Sequence, residues 1–107
     1  MILDRFSVVG RVAIVTGAGL GIGRGIALGL AEAGADVALA ARTESDLEEV
    51  AAQVRALGRR ALVLPTDVTD VTACERLVTQ TVEEFDRLDI LVNNAGGAMP
   101  RAAMDTS

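Results

Sequence analysis

An α/β domain built on a parallel sheet of order 3-2-1-4, with helices on both faces, is what this sequence predicts. Three observations carry that expectation. Short apolar runs rich in β-branched residues alternate with longer segments of helical period. The runs are continuous, as in strands buried on both faces, and do not alternate apolar with polar. The connections are short, and the first is a glycine-rich turn. Strands joined in this way lie parallel with right-handed crossovers, and four such strands make an incomplete doubly wound domain.

Residues 1–10 read as a lead-in. Arg11 to Thr16 is the first strand, followed by Gly17-Ala18-Gly19-Leu20-Gly21-Ile22-Gly23 and a helix from about Ile22 to Ala33. Gly34 stands just past that helix, where a left-handed cap residue is wanted. Asp36 to Ala41 is the second strand. Thr43-Glu44-Ser45-Asp46 resembles a capping box, in which the threonine oxygen serves free amides and the acid reaches back. Leu47, Val50, Ala51, Val54 and Leu57 then recur at helical spacing, and Gly58 closes the helix. Arg60 to Leu64 is the third strand, ended by Pro65. Asp70 caps a further helix with an inner face of Cys74, Leu77, Val78, Thr81, Val82 and Phe85. Leu88 to Val92 is the fourth strand, and Asn93-Asn94-Ala95-Gly96-Gly97 follows. The part-domain therefore spans 11–97, with a loop over 98–107.

Composition narrows the chemistry. The chain has 107 residues, half of them apolar, and a net charge of −5. That is enough apolar surface for one core, and the acidic balance disfavours general binding to nucleic acid or an anionic membrane. The one cysteine, Cys74, excludes an intrachain disulfide, and its place on an inner helical stripe makes it a small core residue. There is no histidine, so Ser-His-Asp and Cys-His machinery is excluded, with most zinc sites. All ten basic residues are arginines and there is no tyrosine. The missing lysine excludes a P-loop nucleotidase. The acid at position 4 and the charges that interrupt each apolar stretch argue against a signal peptide or a membrane span, so a cytoplasmic location is expected.

A glycine loop between a strand and a helix N-terminus has a physical use. The free amides and the positive end of the helix attract an anion, and side chains must be absent where backbone approaches a pyrophosphate. The pattern is T-G-x-x-x-G-x-G, on Thr16, Gly17, Gly21 and Gly23. Gly17 would make the turn, Gly21 would admit the phosphate and Gly23 would let the helix pack closely. Gly19 is a variable position, where alanine is expected to be milder than valine at Gly21. The same glycines could serve a tight turn alone.

With Asn93-Asn94-Ala95-Gly96 after the fourth strand, these residues resemble the short-chain dehydrogenase/reductase family. The resemblance implies a Rossmann-type fold and a small-molecule dinucleotide as partner. Thr16, Gly17, Gly19, Leu20, Gly21, Ile22 and Gly23 match the family's phosphate loop. Asp67 and Val68 match its adenine pocket. Asn93, Asn94, Ala95 and Gly96 match the N-N-A-G stretch that lies beside the cofactor and steadies the sheet. The match covers the N-terminal, cofactor-binding part of the family pattern. Full-length relatives are usually homo-oligomers, and the apolar edge Ile90-Leu91-Val92 would favour self-association.

The residue ending the second strand reads the adenosine ribose. An acid there favours NAD, and a base accommodates the 2′-phosphate of NADP. Ala41 stands where the acid would be and Arg42 follows, with Thr43 beside it. NADP is therefore expected ahead of NAD, although Leu20 occupies a position where NADP-dependent relatives often carry a base. Arg24, one turn into the helix, either assists or faces water. In this family a tyrosine tuned by a lysine exchanges the proton as hydride moves. The chain has neither, so no catalytic residue is assigned. Two readings result: the cofactor-binding part of an NADP-dependent oxidoreductase, or a non-enzymatic dinucleotide-binding module or pseudoenzyme fragment.

Overall fold

A computed structural model describes residues 8–94. The rest of the lead-in, Ala95 to Gly97 and the loop expected over 98–107 lie outside the described residues. The elements are β1 (Val12–Thr16), α1 (Gly21–Glu32), β2 (Asp36–Ala41), α2 (Glu44–Ala56), β3 (Ala61–Pro65), α3 (Val71–Phe85) and β4 (Ile90–Asn93). All three pairings are parallel and the order is β3-β2-β1-β4, as expected. Val12 faces Asp36 across one side of β1, and Ala13 faces Ile90 across the other.

Every residue of β1 is buried, because the strand is central and both of its faces are covered. Alternate side chains enter two cores. Ala13, Val15, Val37 and Leu39 meet Ala27 and Ala31 of α1 and Leu47, Val50, Ala51 and Val54 of α2. Val12, Ile14, Ala38 and Ala40 meet Cys74, Leu77, Val78 and Phe85 of α3 on the opposite face. The chain thus runs outward from β1 through β2 to β3, then crosses under the sheet through α3 to β4. Strand order reverses between β1 and β4, which is where open α/β sheets leave a crevice for ligands.

Helix ends follow their local chemistry. Asp70 accepts from the amides of Thr72 and Ala73, so it caps α3 as expected. Asp86 ends that helix in the left-handed region at φ 65°, which an aspartate tolerates better than most residues. Gly34 and Gly58 also have positive φ just past α1 and α2. Three expectations are corrected. Thr43 is the N-cap of α2, but its hydroxyl makes no cap bond. The capping box does not form because Asp46 is turned toward Gly19 instead of back to the cap. Val82 is 37% exposed, since it lies at the margin of the stripe formed by residues 74, 77, 78, 81 and 85. And β4 begins at Ile90, two residues later than Leu88, with Asp89 joined to Val12 by its own amide and by its carboxylate, which accepts from the Val12 amide.

Two carboxylates bind the ends of the sheet that point away from the glycine loop. Asp36 is buried and accepts from the Arg60 amide at 2.9 Å and from the guanidinium groups of Arg60 and Arg59. Burial pushes its carboxyl up, but these bonds outweigh burial and hold it below the ordinary value. Arg60 in turn lies 4.8 Å over the ring of Phe85, which ties β3 to α3. Asp89 accepts a forked pair of bonds from Arg87, each 2.8 Å, and the Val12 amide at 2.9 Å. The Arg87 fork, then the amide, lower its carboxyl from 3.8 to about 2.

The sign of the pH dependence follows. A carboxyl lowered by folding contributes stability above its unfolded value and loses it as pH falls through its folded value. Stability is therefore expected to fall between about pH 4 and pH 2, with Asp89 protonating across that window. In Asp89→Asn, urea unfolding across pH should show lower stability at neutral pH and a shallower acid slope than in the parent chain.

Candidate cofactor site

The loop after β1 turns on Gly17, at φ 64°, and enters α1 at Gly21, at φ 57°. Both lie in the left-handed region, which side chains with a Cβ rarely adopt. A Cβ on Gly21 would meet nothing within 4 Å, so the backbone there is open to an approaching group. Gly23 is the reverse case. Its Cβ would fall onto the Gly17 carbonyl oxygen and 2.7 Å from Asn94 Nδ2. The first turn of α1 therefore sits directly against the turn after β1 and the end of β4. The N-cap of α1 is Leu20, with no side-chain cap bond, and the first turn carries no acidic side chain. The amide groups at that end have no side-chain cap, and the helix dipole adds positive potential there.

Thr16 is fully buried and joins the two central strands. Its hydroxyl accepts from the Asn94 amide at 2.9 Å, and its own proton faces Asn93 Oδ1 at 3.1 Å and the Val92 carbonyl at 3.3 Å. The first asparagine of the N-N-A-G stretch thus has its side-chain oxygen at the strand junction. The Thr16 hydroxyl thus bonds the end of β4, directly beneath the loop that the family pattern assigns to the cofactor. Its part is to hold the junction from which the loop departs.

A groove of about 180 Å³ lies where the loop faces the end of β2, lined by Gly17, Gly19, Leu20, Ala41, Arg42, Thr43 and Asp46. Five expected site residues, Gly17, Gly19, Leu20, Arg42 and Thr43, are brought together there. The Arg42 side chain is 73% exposed, and its guanidinium is 3.2 Å from Asp67 Oδ1. The same oxygen accepts from the Thr69 hydroxyl at 2.6 Å and the Thr69 amide at 3.0 Å. These two Thr69 bonds, then Arg42, lower the Asp67 carboxyl despite some desolvation, so it is ionised at neutral pH. Asp67 is thus linked to the groove through Arg42 without lining it.

The other expected residues separate. Leu20 and Ile22 hold their apolar side chains 67% and 75% exposed on either side of Gly21. Val68 is half-buried against the core under α3. Its carbonyl accepts from the Cys74 thiol, which burial pushes up, as suits an inert core cysteine. Ala95 and Gly96 lie outside the described residues. Arg24 pairs with Glu49 at 3.3 Å and so joins α1 to α2. Sequence reasoning missed Asp46, which reads as a capping acid and only shows its place in the groove once α2 is packed. A Cβ on Gly19 would lie 2.8 Å from Asp46 Cβ, so an alanine there requires Asp46 to shift.

Fold and loop together define a dinucleotide-binding α/β unit. The family model for short chain dehydrogenase matches residues 11–107, and the chain belongs to that family. An uncharacterised oxidoreductase of Mycobacterium tuberculosis is 49% identical over all of the chain and 41% of its own length. Hydroxysteroid dehydrogenase from Escherichia coli superposes with a TM-score of 0.84 at 36% identity, over 89% of this chain and 40% of that one. Carveol dehydrogenase from Mycobacterium avium, solved with NAD, gives 0.81 at 37% identity, over 88% of this chain and 38% of that one. The chain therefore spans about two fifths of the length of these relatives. Members of the family bind nicotinamide cofactors. The residues present fit such a group, through the open backbone at Gly21, the uncapped start of α1 and the groove beside Arg42.

Gly23→Ala should damage both stability and the site, because the added methyl collides with backbone that cannot swing aside. A loss of about 1–3 kcal/mol is expected from overpacking, read by urea unfolding, together with weaker dinucleotide binding.

Proposed function

We propose that this chain is the NADP(H)-binding portion of a short-chain oxidoreductase that interconverts an alcohol and a carbonyl compound in the cytoplasm. The observation that carries the reading is Arg42, exposed at the groove directly after Ala41, where an acid would have favoured NAD. Its ion pair with Asp67 does not oppose the assignment. An exposed pair of this kind is worth about 0–1 kcal/mol, whereas a charge-assisted contact to a phosphate is worth about 1.5–3 kcal/mol, so the phosphate wins the guanidinium. Loop amides at the start of α1 receive the pyrophosphate, and Thr43, whose hydroxyl is not used as a cap, lies beside Arg42. Asp67 meets the adenine, and Asn93 and Asn94 flank the nicotinamide end. When bound, the cofactor supplies or accepts hydride.

Proton exchange is a separate requirement. Reduction of a carbonyl needs a donor at the oxygen as hydride reaches carbon. The family uses a tyrosine and a lysine for this, and these 107 residues contain neither. Asp67 stands at the adenine end, away from the reacting carbon. The chain by itself is therefore expected to bind the dinucleotide and to turn over no substrate.

Two measurements test these points. Arg42→Ala should weaken NADPH about ten- to hundredfold, the equivalent of one charge-assisted contact, and should change NADH far less. Equal weakening of both would remove Arg42 as the phosphate reader. NADPH oxidation with a panel of ketones, sugars and steroid-like carbonyls should stay at the level of a Gly21→Val control. Substrate-dependent turnover above that control would require a proton donor elsewhere in the chain.

A further inference from the structure

The groove beside Arg42 contains a second formal charge. Asp46, the third residue of α2, is half-buried and lines the same surface as Arg42 and Thr43. Its Cβ lies 2.8 Å, and its Oδ2 3.7 Å, from the position a Cβ would take on Gly19. The absent side chain at position 19 is thus what lets the acid settle against the phosphate loop. Among the described residues no cation pairs with this carboxylate: Arg42 goes to Asp67, and Arg24 goes to Glu49. The carboxylate is also not consumed as a helix cap, since the box with Thr43 does not form.

We propose that Asp46 is a specificity-determining residue that opposes the 2′-phosphate Arg42 attracts, so that the groove holds NADP less tightly than its arginine alone would allow. The inference rests on the NADP reading of the same groove. Asp46 and Arg42 line the same groove, so a phosphate held by Arg42 is repelled by the Asp46 carboxylate across it, screened in part by salt. A ribose with a free 2′-hydroxyl meets no such repulsion. The carboxylate therefore acts on the difference between the two cofactors, and Gly19 acts through it by giving it room.

Calorimetric titration of the chain with 2′,5′-ADP and with 5′-AMP tests this without any turnover. The two probes differ only in the 2′-phosphate. Asp46→Asn keeps the size and shape of the side chain and removes its charge. It should tighten 2′,5′-ADP about three- to tenfold and change 5′-AMP less than about twofold, and the gain should shrink as salt is raised. Asp46→Ser, which suits the start of a helix, should act in the same direction, and thermal unfolding verifies that both variants fold. No gain for 2′,5′-ADP in either folded variant, an equal gain for both probes or a gain indifferent to salt would overturn the proposal. Arg42→Ala separates the two layers. If it weakens 2′,5′-ADP while the Asp46 variants do nothing, this inference falls and the NADP reading stands. If it leaves 2′,5′-ADP unchanged, the NADP reading falls and takes this inference with it.

Discussion

The close approach of backbone at Gly23 is the constraint on which the rest of the site depends. Only a residue without a side chain can stand where a Cβ would strike the Gly17 carbonyl and crowd Asn94. Because that contact is allowed, the start of α1, the end of β1 and the end of β4 converge on one place. The buried Thr16 hydroxyl then fastens β1 to β4 from beneath. A small-residue stripe of Gly23, Ala27 and Ala31 continues the same close packing along the helix. The loop amides are thus aimed by a rigid junction, as a site for a large, multiply charged ligand requires.

Among the described residues, the N-termini of α1, α2 and α3 are electrostatically unequal. Asp70 bonds the first amides of α3, and Glu44 and Asp46 stand in the first turn of α2. The start of α1 has neither a side-chain cap nor an acid. A bare N-terminus costs stability unless something else serves its amides. In the function proposed above, the cofactor serves the amides at α1, where Leu20 and Ile22 beside Gly21 are exposed. At the opposite end of the sheet, Asp36 and Asp89 gather arginines and strand-end amides into fixed pairs. One end of the sheet is closed by internal charge pairing, and the other is left open to an external anion.

Arg42 connects these themes. It lies past the end of β2 beside the loop, paired with Asp67 and sharing the groove lining with Asp46. Asp67 holds its guanidinium in an exposed pair that a phosphate can displace. Asp46 occupies the other wall. On the NADP reading proposed above, the charges of Arg42, Asp67 and Asp46 together set the choice of cofactor.

The sequence alone determined the architecture. Continuous β-branched apolar runs of strand length read as strands buried on both faces, and helices between them make parallel pairing the expectation, with 3-2-1-4 the order usual for a doubly wound sheet of this kind and the one observed. It also determined the phosphate loop and the Asp70 cap, because turns and caps depend on residues a few positions apart. What the tertiary structure decided involves residues distant in the chain. The Arg42–Asp67 pair spans 25 positions, and the Thr16 junction with Asn94 spans 78. Asp46 reads locally as a capping acid and becomes a wall of the groove only when α2 packs beside the loop. Side chains with two local uses are assigned by whichever neighbour the fold brings within bonding distance, and that neighbour is not encoded at any fixed spacing.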